Sequence, residues 1–273
     1  MAIIYIDYNI ISEAGQTPAT IGSAALRNEL RRLTRGGHQM ALSAWHAFEL
    51  AKSKRDDHIA SCCDLVEDLR PLWISNNRFV LAHELEQFLA ASTEDLRRFA
   101  FNTYVSQMWS TYDAAAALVG ETFVDTVRAL RSNPTNLTEI ETAANQTPGA
   151  VLIGREALQD GRLAAHQRII DGDYFRSVLR RARPADIDRL VSTMDITLRS
   201  CPAVAVEESM TQLRVRGSFK PTASDAADLQ HAIVPLAYCD YFVSNDKQLS
   251  KHCSSVAQAI SLTCIASRTL PVI

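Results

Sequence analysis

Short apolar runs and helix-spaced apolar positions alternate along the first 75 residues. The run Ile3–Ile6 is apolar and β-prone and ends at Asp7, which predicts a short buried strand with an acid at its carboxyl end. Residues 20–35 have apolar side chains at helical spacing before Gly36, which predicts a helix with a glycine stop. Further strands are predicted at 39–42 and 71–74, and further helices at 43–54 and 56–69. Strands that alternate with helices in this way predict a parallel sheet.

The pattern is different between residues 76 and 218, where nearly every segment has helical spacing. The spacing predicts helices at 82–91, 93–119, 121–130, 155–170, 173–182, 184–198 and 202–215. Proline-containing segments at 133–134, 146–149 and 183–184 separate some of them. This stretch is therefore predicted to be a mostly helical insertion.

An α/β pattern returns after the insertion. A helix is predicted over 224–238, although Pro235 lacks a backbone donor and is expected to kink the last turn or end the helix. A strand at 241–244, a helix at 247–260 and a last strand at 261–265 complete the pattern. We therefore predict one discontinuous α/β domain, residues 1–75 and 219–273, interrupted by the helical insertion 76–218.

Composition and charge narrow the class of protein. Of the 273 residues, 47% are hydrophobic and 22% are charged, which is typical of a soluble globular chain. The net charge is −3, so any nucleic-acid contact is expected to come from local basic clusters. No signal peptide or apolar run of about 18 residues is visible, and none of the six cysteines lies in a Cys-x-x-Cys motif. These features predict a cytoplasmic protein with buried, reduced thiols and no membrane span.

Four acidic residues fall at or beside the predicted carboxyl ends of strands. Asp7 and Asp246 follow two apolar strands, whereas Glu49 and Asp228 lie in helices next to neighbouring strands. Ligands of parallel α/β sheets bind beyond the carboxyl ends of the strands, so these acids are expected to meet there. Two carboxylates about 4 Å apart repel by about 4 kcal/mol at an effective dielectric constant of about 20, so a cation is expected to neutralise the cluster. Mg²⁺ or Mn²⁺ suits such a site, because hard divalent cations prefer oxygen ligands.

Four parts of the sequence resemble motifs of the PIN-domain nuclease family. Ile4–Asn9 resembles the family's opening strand with its Asp-x-Asn/Ser, and Leu42–Ser43 followed by Glu49–Leu50 resembles its second acidic motif. Asp228–Ala232 resembles the third motif, on the helix before the last catalytic strand. Phe242–Asp246 resembles the fourth, a strand that ends in Thr/Ser-x-Asp. The 18 positions between the third and fourth acids are similar to the spacing in the family's C-terminal half. The resemblance covers the two α/β pieces, roughly half of the chain.

The resemblance implies a PIN-like, Rossmann-like α/β fold and a metal-dependent endoribonuclease. Its catalytic and metal-binding residues would be Asp7, Glu49, Asp228 and Asp246, with Mg²⁺ or Mn²⁺ as cofactor. An ion of this kind lowers the pKa of bound water for attack on phosphorus, so no nucleophilic side chain is needed. Toxin components of bacterial toxin–antitoxin pairs belong to this family, which implies an RNA substrate, a cognate antitoxin or other inhibitor protein, and a homodimer. The long insertion is a departure from those compact toxins.

Local alternatives stay open for the acidic residues. Asp225 competes with Asp228 for one role, but a helix-capping motif explains Asp225 fully. We therefore assign Asp228 to the metal and keep Asp225 as an auxiliary residue. Glu49 has the alternative of pairing with Lys52 across one helical turn, and Asp246 that of capping the helix that follows it.

Three further side chains are expected beside the acids in auxiliary roles. Asn9 is predicted either to orient Asp7 or a metal-bound water, or to form a local turn. Ser244 is predicted to position a carboxylate by hydrogen bonding. His231 follows Asp228 by three positions, and a buried supporting histidine is favoured over a general acid.

The sequence also contains two basic clusters beside the acidic motifs, and it leaves two alternative functions open. Lys52–Arg55 and Arg214–Lys220 flank acidic motifs in the sequence and are predicted to hold phosphates. The residues do not distinguish RNA from DNA as the substrate. The main alternative is a catalytically inactive PIN-like interaction or regulatory protein. A haloacid-dehalogenase-type phosphatase ranks lower, because its Asp-x-Asp motif needs an acid where Asn9 stands.

Overall fold

The computed structural model of the protein describes residues 1–105, 122–133, 135, 138, 147–164, 167–217 and 224–273, with the side chains of 147–149 and 224–227 outside the description. Its strands are β1 (Ile3–Ile6), β2 (Gln39–Leu42), β3 (Leu72–Ile74), β4 (Phe101–Asn102), β5 (Tyr241–Val243) and β6 (Ile265–Ser267). The first helices are α1 (Tyr8–Ala14), α2 (Ile21–Arg35), α3 (Ala44–Ala51), α4 (Asp56–Leu69), α5 (Asn77–Leu89) and α6 (Arg97–Ala100). The later helices are α7 (Phe123–Ser132), α8 (Thr147–Gln159), α9 (Gly172–Val178), α10 (Pro184–Ser192), α11 (Met194–Ser200), α12 (Pro202–Arg216), α13 (Ser224–Tyr238) and α14 (Lys247–Ala259).

The six strands form one sheet in the order β4-β3-β2-β1-β5-β6. Strand β1 pairs in parallel with β2 and β5, β2 with β3, and β5 with β6, whereas the short β4 runs antiparallel to β3. The carboxyl ends of the five parallel strands therefore lie along one side of the sheet, which we call the carboxyl edge. This topology confirms the predicted α/β fold, with a mostly parallel sheet flanked by helices.

Hydrophobic clusters lie on both faces of the sheet. Successive side chains of a strand point to opposite faces, so Tyr5 and Phe242 join one cluster while Ile4 and Ile6 join the other. Side chains from the predicted insertion belong to both clusters: Phe175, Leu190 and Val204 to the first, and Phe123 and Val127 to the second. The hydrophobic core therefore continues from the sheet into the helices of residues 76–218.

Two short elements near the sheet differ from the sequence-based expectation. Helix α1 was not expected; it begins directly after β1 because the Asp7 side chain accepts a hydrogen bond from Tyr8 N. Strand β4 replaces part of the helix expected over 93–119, and residues 106–119 lie outside the described ranges. The backbone N–H of Ser75 donates to the carbonyl of Ala100 at 2.9 Å, so sheet pairing at this edge overrides the helical spacing.

The helix expected over 155–170 and the strand expected over 261–265 are displaced. Helix α8 ends at Gln159. The backbone N–H groups of Ile169 and Ile170 donate to the Glu208 carboxylate, at 3.0 and 2.8 Å, rather than to backbone carbonyls of a helix. Leu262 N donates back to the carbonyl of Ala257 at 2.8 Å, so this segment turns after α14 and the strand begins only at Ile265.

Two helices also differ from the expected bounds. Helix α5 begins five residues before the expected Ala82, because Asn76 accepts a hydrogen bond from Arg78 N and caps it. The helix expected over 184–198 divides at Thr193, whose hydroxyl donates to the Arg189 carbonyl at 2.7 Å. Helix α13 covers the predicted 224–238, and Pro235 lies within it rather than ending it.

All six cysteines are buried and none forms a disulfide, which confirms the prediction of buried thiols. Burial in apolar surroundings raises the pKa of the Cys62 and Cys264 thiols to about 12. None of the helices in the described ranges has the length and apolar character needed to cross a membrane.

Candidate functional site

Asp7 lies at the carboxyl end of β1 and is almost fully buried, with 5% of its surface exposed. Its Oδ1 accepts a hydrogen bond from Tyr8 N at 2.8 Å, and its Oδ2 accepts one from the Ser244 hydroxyl at 2.7 Å. Burial raises the pKa of Asp7, and Glu49 raises it further, although His231 and Ser244 act in the opposite direction. The folded protein thus holds a carboxylate in a place that disfavours its charge.

His231 lies between the acids of the site. It is on α13, is 2% exposed, and has its Nε2 at 3.2 Å from Glu49 Oε2 and its Nδ1 at 3.8 Å from Asp7 Oδ1. Its Nδ1 also forms a hydrogen bond with the Tyr5 hydroxyl. Burial alone would lower the pKa of His231, but Glu49, Asp7 and Asp228 together raise it to about 9. His231 is therefore an imidazolium at neutral pH, held between carboxylates.

Glu49 reaches the site from α3, the helix that follows β2. Burial would raise the pKa of Glu49, but the charge and hydrogen bond of His231 outweigh burial and lower it, with smaller contributions from His46 and Lys52. The Lys52 ammonium lies 5.2 Å from the centre of the Phe48 ring. Glu49 therefore does interact electrostatically with Lys52, but its interaction with His231 is stronger.

Asp228 lies one turn before His231 on α13 and is half-buried. Burial raises the pKa of Asp228 to about 7; His231 and Arg214 oppose this rise, whereas Asp7 and Asp246 add to it. Three acids from β1, α3 and α13 therefore interact with the same histidine. The side chain of Asp225 lies outside the described residues, so its auxiliary role stays a prediction.

Asp246 and the auxiliary side chains Ser244 and Asn9 join β5 to the site. Asp246 is exposed and caps α14, because its Oδ1 accepts a hydrogen bond from Leu249 N at 2.8 Å. The Ser244 hydroxyl, which donates to Asp7, also accepts from Asp246 N at 3.1 Å and from Asn9 Nδ2 at 3.2 Å. The capping alternative thus holds for Asp246, and its charge also raises the pKa of Asp228.

Two buried side chains beneath the acids were missed in the sequence. His46 Nε2 donates to the Ile6 carbonyl at 2.7 Å, while its Nδ1 accepts from Ser43 N at 3.1 Å. Burial and the nearby charge of His231 lower the pKa of His46 to about 3, so His46 is neutral. Tyr5, on the opposite face of β1 from Ile6, bridges His231 and Ser43 through its hydroxyl. The Ser-x-x-His spacing at the start of α3 was the available signal for His46.

The donor set suits a hard divalent cation, but the described side chains are not arranged around one. No three His, Cys, Asp or Glu side chains in the described part of the chain form a group ready to hold a metal ion. The raised pKa values of Asp7 and Asp228 show that positive charge at this edge would stabilise the ionised carboxylates. In this structure His231 supplies that charge for Asp7 and Glu49.

Several arginines of the two basic clusters expected to hold phosphates have partners within the fold. Arg214 is 3% exposed, and its charge lowers the pKa of Asp228. Arg216 donates to Gln212 and to the Gln167 carbonyl, and Lys220 lies outside the described residues. In the second cluster, Arg55 pairs with Asp57 at 2.8 Å. These interactions occupy arginines of both clusters, and phosphate binding by the clusters stays a prediction.

Comparison with protein-family models, with curated proteins and with solved structures found no match for this chain. Its function is therefore inferred from the residues of the site.

Proposed function

We propose that this protein is a metal-dependent endoribonuclease that hydrolyses RNA phosphodiester bonds with Asp7, Glu49, Asp228 and Asp246 as its acidic residues. One observation supports the proposal above all. Asp7, Glu49 and Asp228 are far apart in the sequence, yet all three interact with His231 at the carboxyl edge. Ligands of parallel α/β sheets bind at this edge.

The electrostatics of the cluster also favour a functional site over a purely structural one. Burying a carboxylate is costly unless partners neutralise it, and the raised pKa values of Asp7 and Asp228 mean that the neutralisation is incomplete. Titratable groups with perturbed pKa values gather at functional sites, where the cost serves binding or catalysis. A divalent cation would remove this cost.

Asp7 and Asp228 would hold Mg²⁺ or Mn²⁺, with Glu49 and Asp246 beside them. A bound ion of this kind supplies Lewis-acid chemistry, which activates water and offsets charge on the phosphate. The Ser244 hydroxyl orients Asp7 through its 2.7 Å hydrogen bond. His231 holds a proton at Nε2 next to Glu49, so an acidic proton is present beside the carboxylates.

Cleavage assays test the proposal. Asp7→Asn and Asp228→Asn should each reduce Mn²⁺-dependent cleavage of a labelled RNA by at least about 100-fold. Loss of a residue that only supports a metal ligand costs up to about 100-fold, and loss of a ligand itself should cost no less. Thermal stability should stay unchanged or rise, because the raised pKa values of both acids mean that the fold disfavours their ionised form. Asp64→Asn, which alters an exposed acid on α4, is the matched control and should cleave normally. Full cleavage by both site variants would contradict the proposal.

One observation favours a second candidate, a catalytically inactive PIN-like interaction protein. The His231 imidazolium already provides Asp7 and Glu49 with the positive charge that a metal would bring. Calorimetry with Mn²⁺ beside the cleavage assay separates the two functions, because an inactive site cuts no RNA whether or not it binds the ion. The toxin-like role, the cognate antitoxin or inhibitor and the homodimer stay predictions.

A further inference from the structure

Arg268 follows the outer strand of the sheet, at the edge that carries the candidate active site. In the parallel register, Ser267 of β6 is level with Val243 of β5, so Arg268 follows β6 at the carboxyl edge. Its Nη2 donates to the Asn245 carbonyl at 3.3 Å. Asn245 stands between Ser244, which binds Asp7, and the N-cap residue of α14. The guanidinium is therefore held against the loop that carries Asp246 and whose Ser244 hydroxyl binds Asp7.

Helix α14 brings two lysines to the same place. The Ser254 hydroxyl donates to the Ala266 carbonyl at 3.1 Å, so the third turn of α14 lies over β6. Lys251 is three residues before Ser254, about 4.5 Å nearer the carboxyl edge along the helix, on the same helical face. Arg268 is two residues beyond Ala266, about 6.6 Å nearer that edge along the chain. Lys251 and Arg268 thus both lie toward the carboxyl edge from the Ser254–Ala266 hydrogen bond, and Lys247 lies one further turn of α14 toward that edge.

These three cationic side chains form no ion pair with the described part of the chain. Lys247, Lys251 and Arg268 have no carboxylate within ion-pair distance among the described residues, and both lysines are exposed. Two acids lie on or against the same loop: Asp246, which caps α14, and Glu13, which accepts a hydrogen bond from the Asn245 amide. In a chain of net charge −3, three exposed cations at the edge of an acidic site form a local positive surface suited to a negatively charged partner.

We propose that Lys247, Lys251 and Arg268 form the phosphate-binding surface that holds single-stranded RNA beside the scissile bond. This inference rests on the proposed nuclease function. Contacts between lysine or arginine and phosphates position a nucleic acid without reading its sequence. Lys247 and Lys251 are about 6 Å apart along the helix axis, which suits contacts with neighbouring phosphates. The strand would pass over the first turns of α14 and reach the acids at Asp246.

RNA binding in the presence of EDTA tests this surface without requiring cleavage. The probe is a short fluorescein-labelled oligouridylate, and the readout is fluorescence anisotropy of the full chain over a range of salt concentrations. Two variants each remove two cations: Lys251→Ala with Arg268→Ala, and Lys247→Ala with Lys251→Ala. The second changes only exposed helical positions, so it retains the fold. The matched control is Arg35→Ala with Arg70→Ala, two exposed arginines that precede β2 and β3 at the opposite edge.

Each phosphate contact to a single strand contributes about 0.7 to the slope of log affinity against log salt. Both surface variants should therefore lower the slope by about 1.4 and weaken binding roughly twentyfold at about 0.1 M salt, while the control stays within about twofold of the wild type. Surface variants that bind as tightly as the control would overturn the proposal, and so would the absence of RNA binding by the wild type. Tighter binding of a DNA oligonucleotide of matched length would overturn RNA as the partner.

The outcomes separate this surface from the proposed activity. If the wild type binds RNA through these residues but does not cut it with Mn²⁺, the surface stands and the nuclease function fails. If it cuts RNA and the surface variants keep the wild-type KM, the surface fails and the nuclease function stands.

Discussion

Two buried acids of this protein, Glu84 and Asp7, both have raised pKa values, but their neighbours differ in kind. Glu84 lies on α5 and accepts hydrogen bonds from Ala203 N at 2.8 Å, from Val204 N at 3.1 Å and from the Tyr238 hydroxyl. These backbone groups belong to the first turn of α12, where N–H groups lack partners within the helix. Glu84 therefore caps a core helix, and all of its partners are hydrogen-bond donors of the fold.

Asp7 is equally inaccessible but has other carboxylates for neighbours. Burial raises its pKa, and Glu49 adds to the rise, while His231 and Ser244 only partly compensate. Burial also raises the pKa of Glu84, to about 7, without any nearby carboxylate among its principal causes. Burial and a raised pKa therefore do not by themselves identify a functional acid. The informative feature is whether the neighbours are donors that satisfy the acid or further acids that need a cation.

The largest expected effect on stability is that of Glu84→Ala. Two backbone donors and the Tyr238 hydroxyl would lose their acceptor, and each buried unsatisfied group costs about 1–3 kcal/mol. We expect the free energy of unfolding to fall by about 3 kcal/mol, measured by urea denaturation. Asp7→Asn is the matched comparison and should leave it unchanged or higher. Equal losses in both variants would remove the distinction between the two acids.

The pH dependence of stability sharpens the comparison at His231. Its pKa is raised from 6.5 to about 9 in the folded state, so the stabilisation by its protonated form is complete below pH 6.5 and disappears as the pH rises through 9. Over that interval the stability advantage of the wild type over His231→Gln should shrink by on the order of 1–3 kcal/mol. Denaturation curves across this pH range measure it.

His46→Gln is the control for this experiment. His46 is equally buried and has a pKa of about 3, so it stays neutral throughout the same interval. Its stability difference from the wild type should not change with pH there. A pH dependence as large for His46→Gln as for His231→Gln would mean that the carboxylates do not hold a charged His231.

Of the substitutions Glu84→Ala, His231→Gln and Ser244→Ala, the last is expected to change the free energy of unfolding least. It removes the 2.7 Å hydrogen bond to Asp7 and the acceptor of Asn9 Nδ2, which should cost about 1 kcal/mol and raise the pKa of Asp7 further. Ser254→Ala removes a comparable hydroxyl bond on the exposed side of α14 and should cost less than about 0.5 kcal/mol. Indistinguishable losses would show that Ser244 does not support the site.

The sequence determined the features that depend on neighbours within a few positions. The apolar run before Asp7, the run before Asp246 and the helical spacing after Thr20 each predicted an element that the structure contains. Strand and helix periods are local properties of a chain, so these elements and the acids at their ends were accessible without coordinates. The mostly parallel sheet followed from their alternation.

Contacts between distant residues were decided by the tertiary structure alone. The burial of Arg214 near Asp228, the capping of α12 by Glu84 and the loop held by Glu208 all join groups more than 10 positions apart. The central place of His231 depends equally on β1, α3 and α13 packing together. Periodicity along a chain carries no information about which side chains meet across the fold, because hydrogen bonds and charges respond to distance in space rather than in sequence.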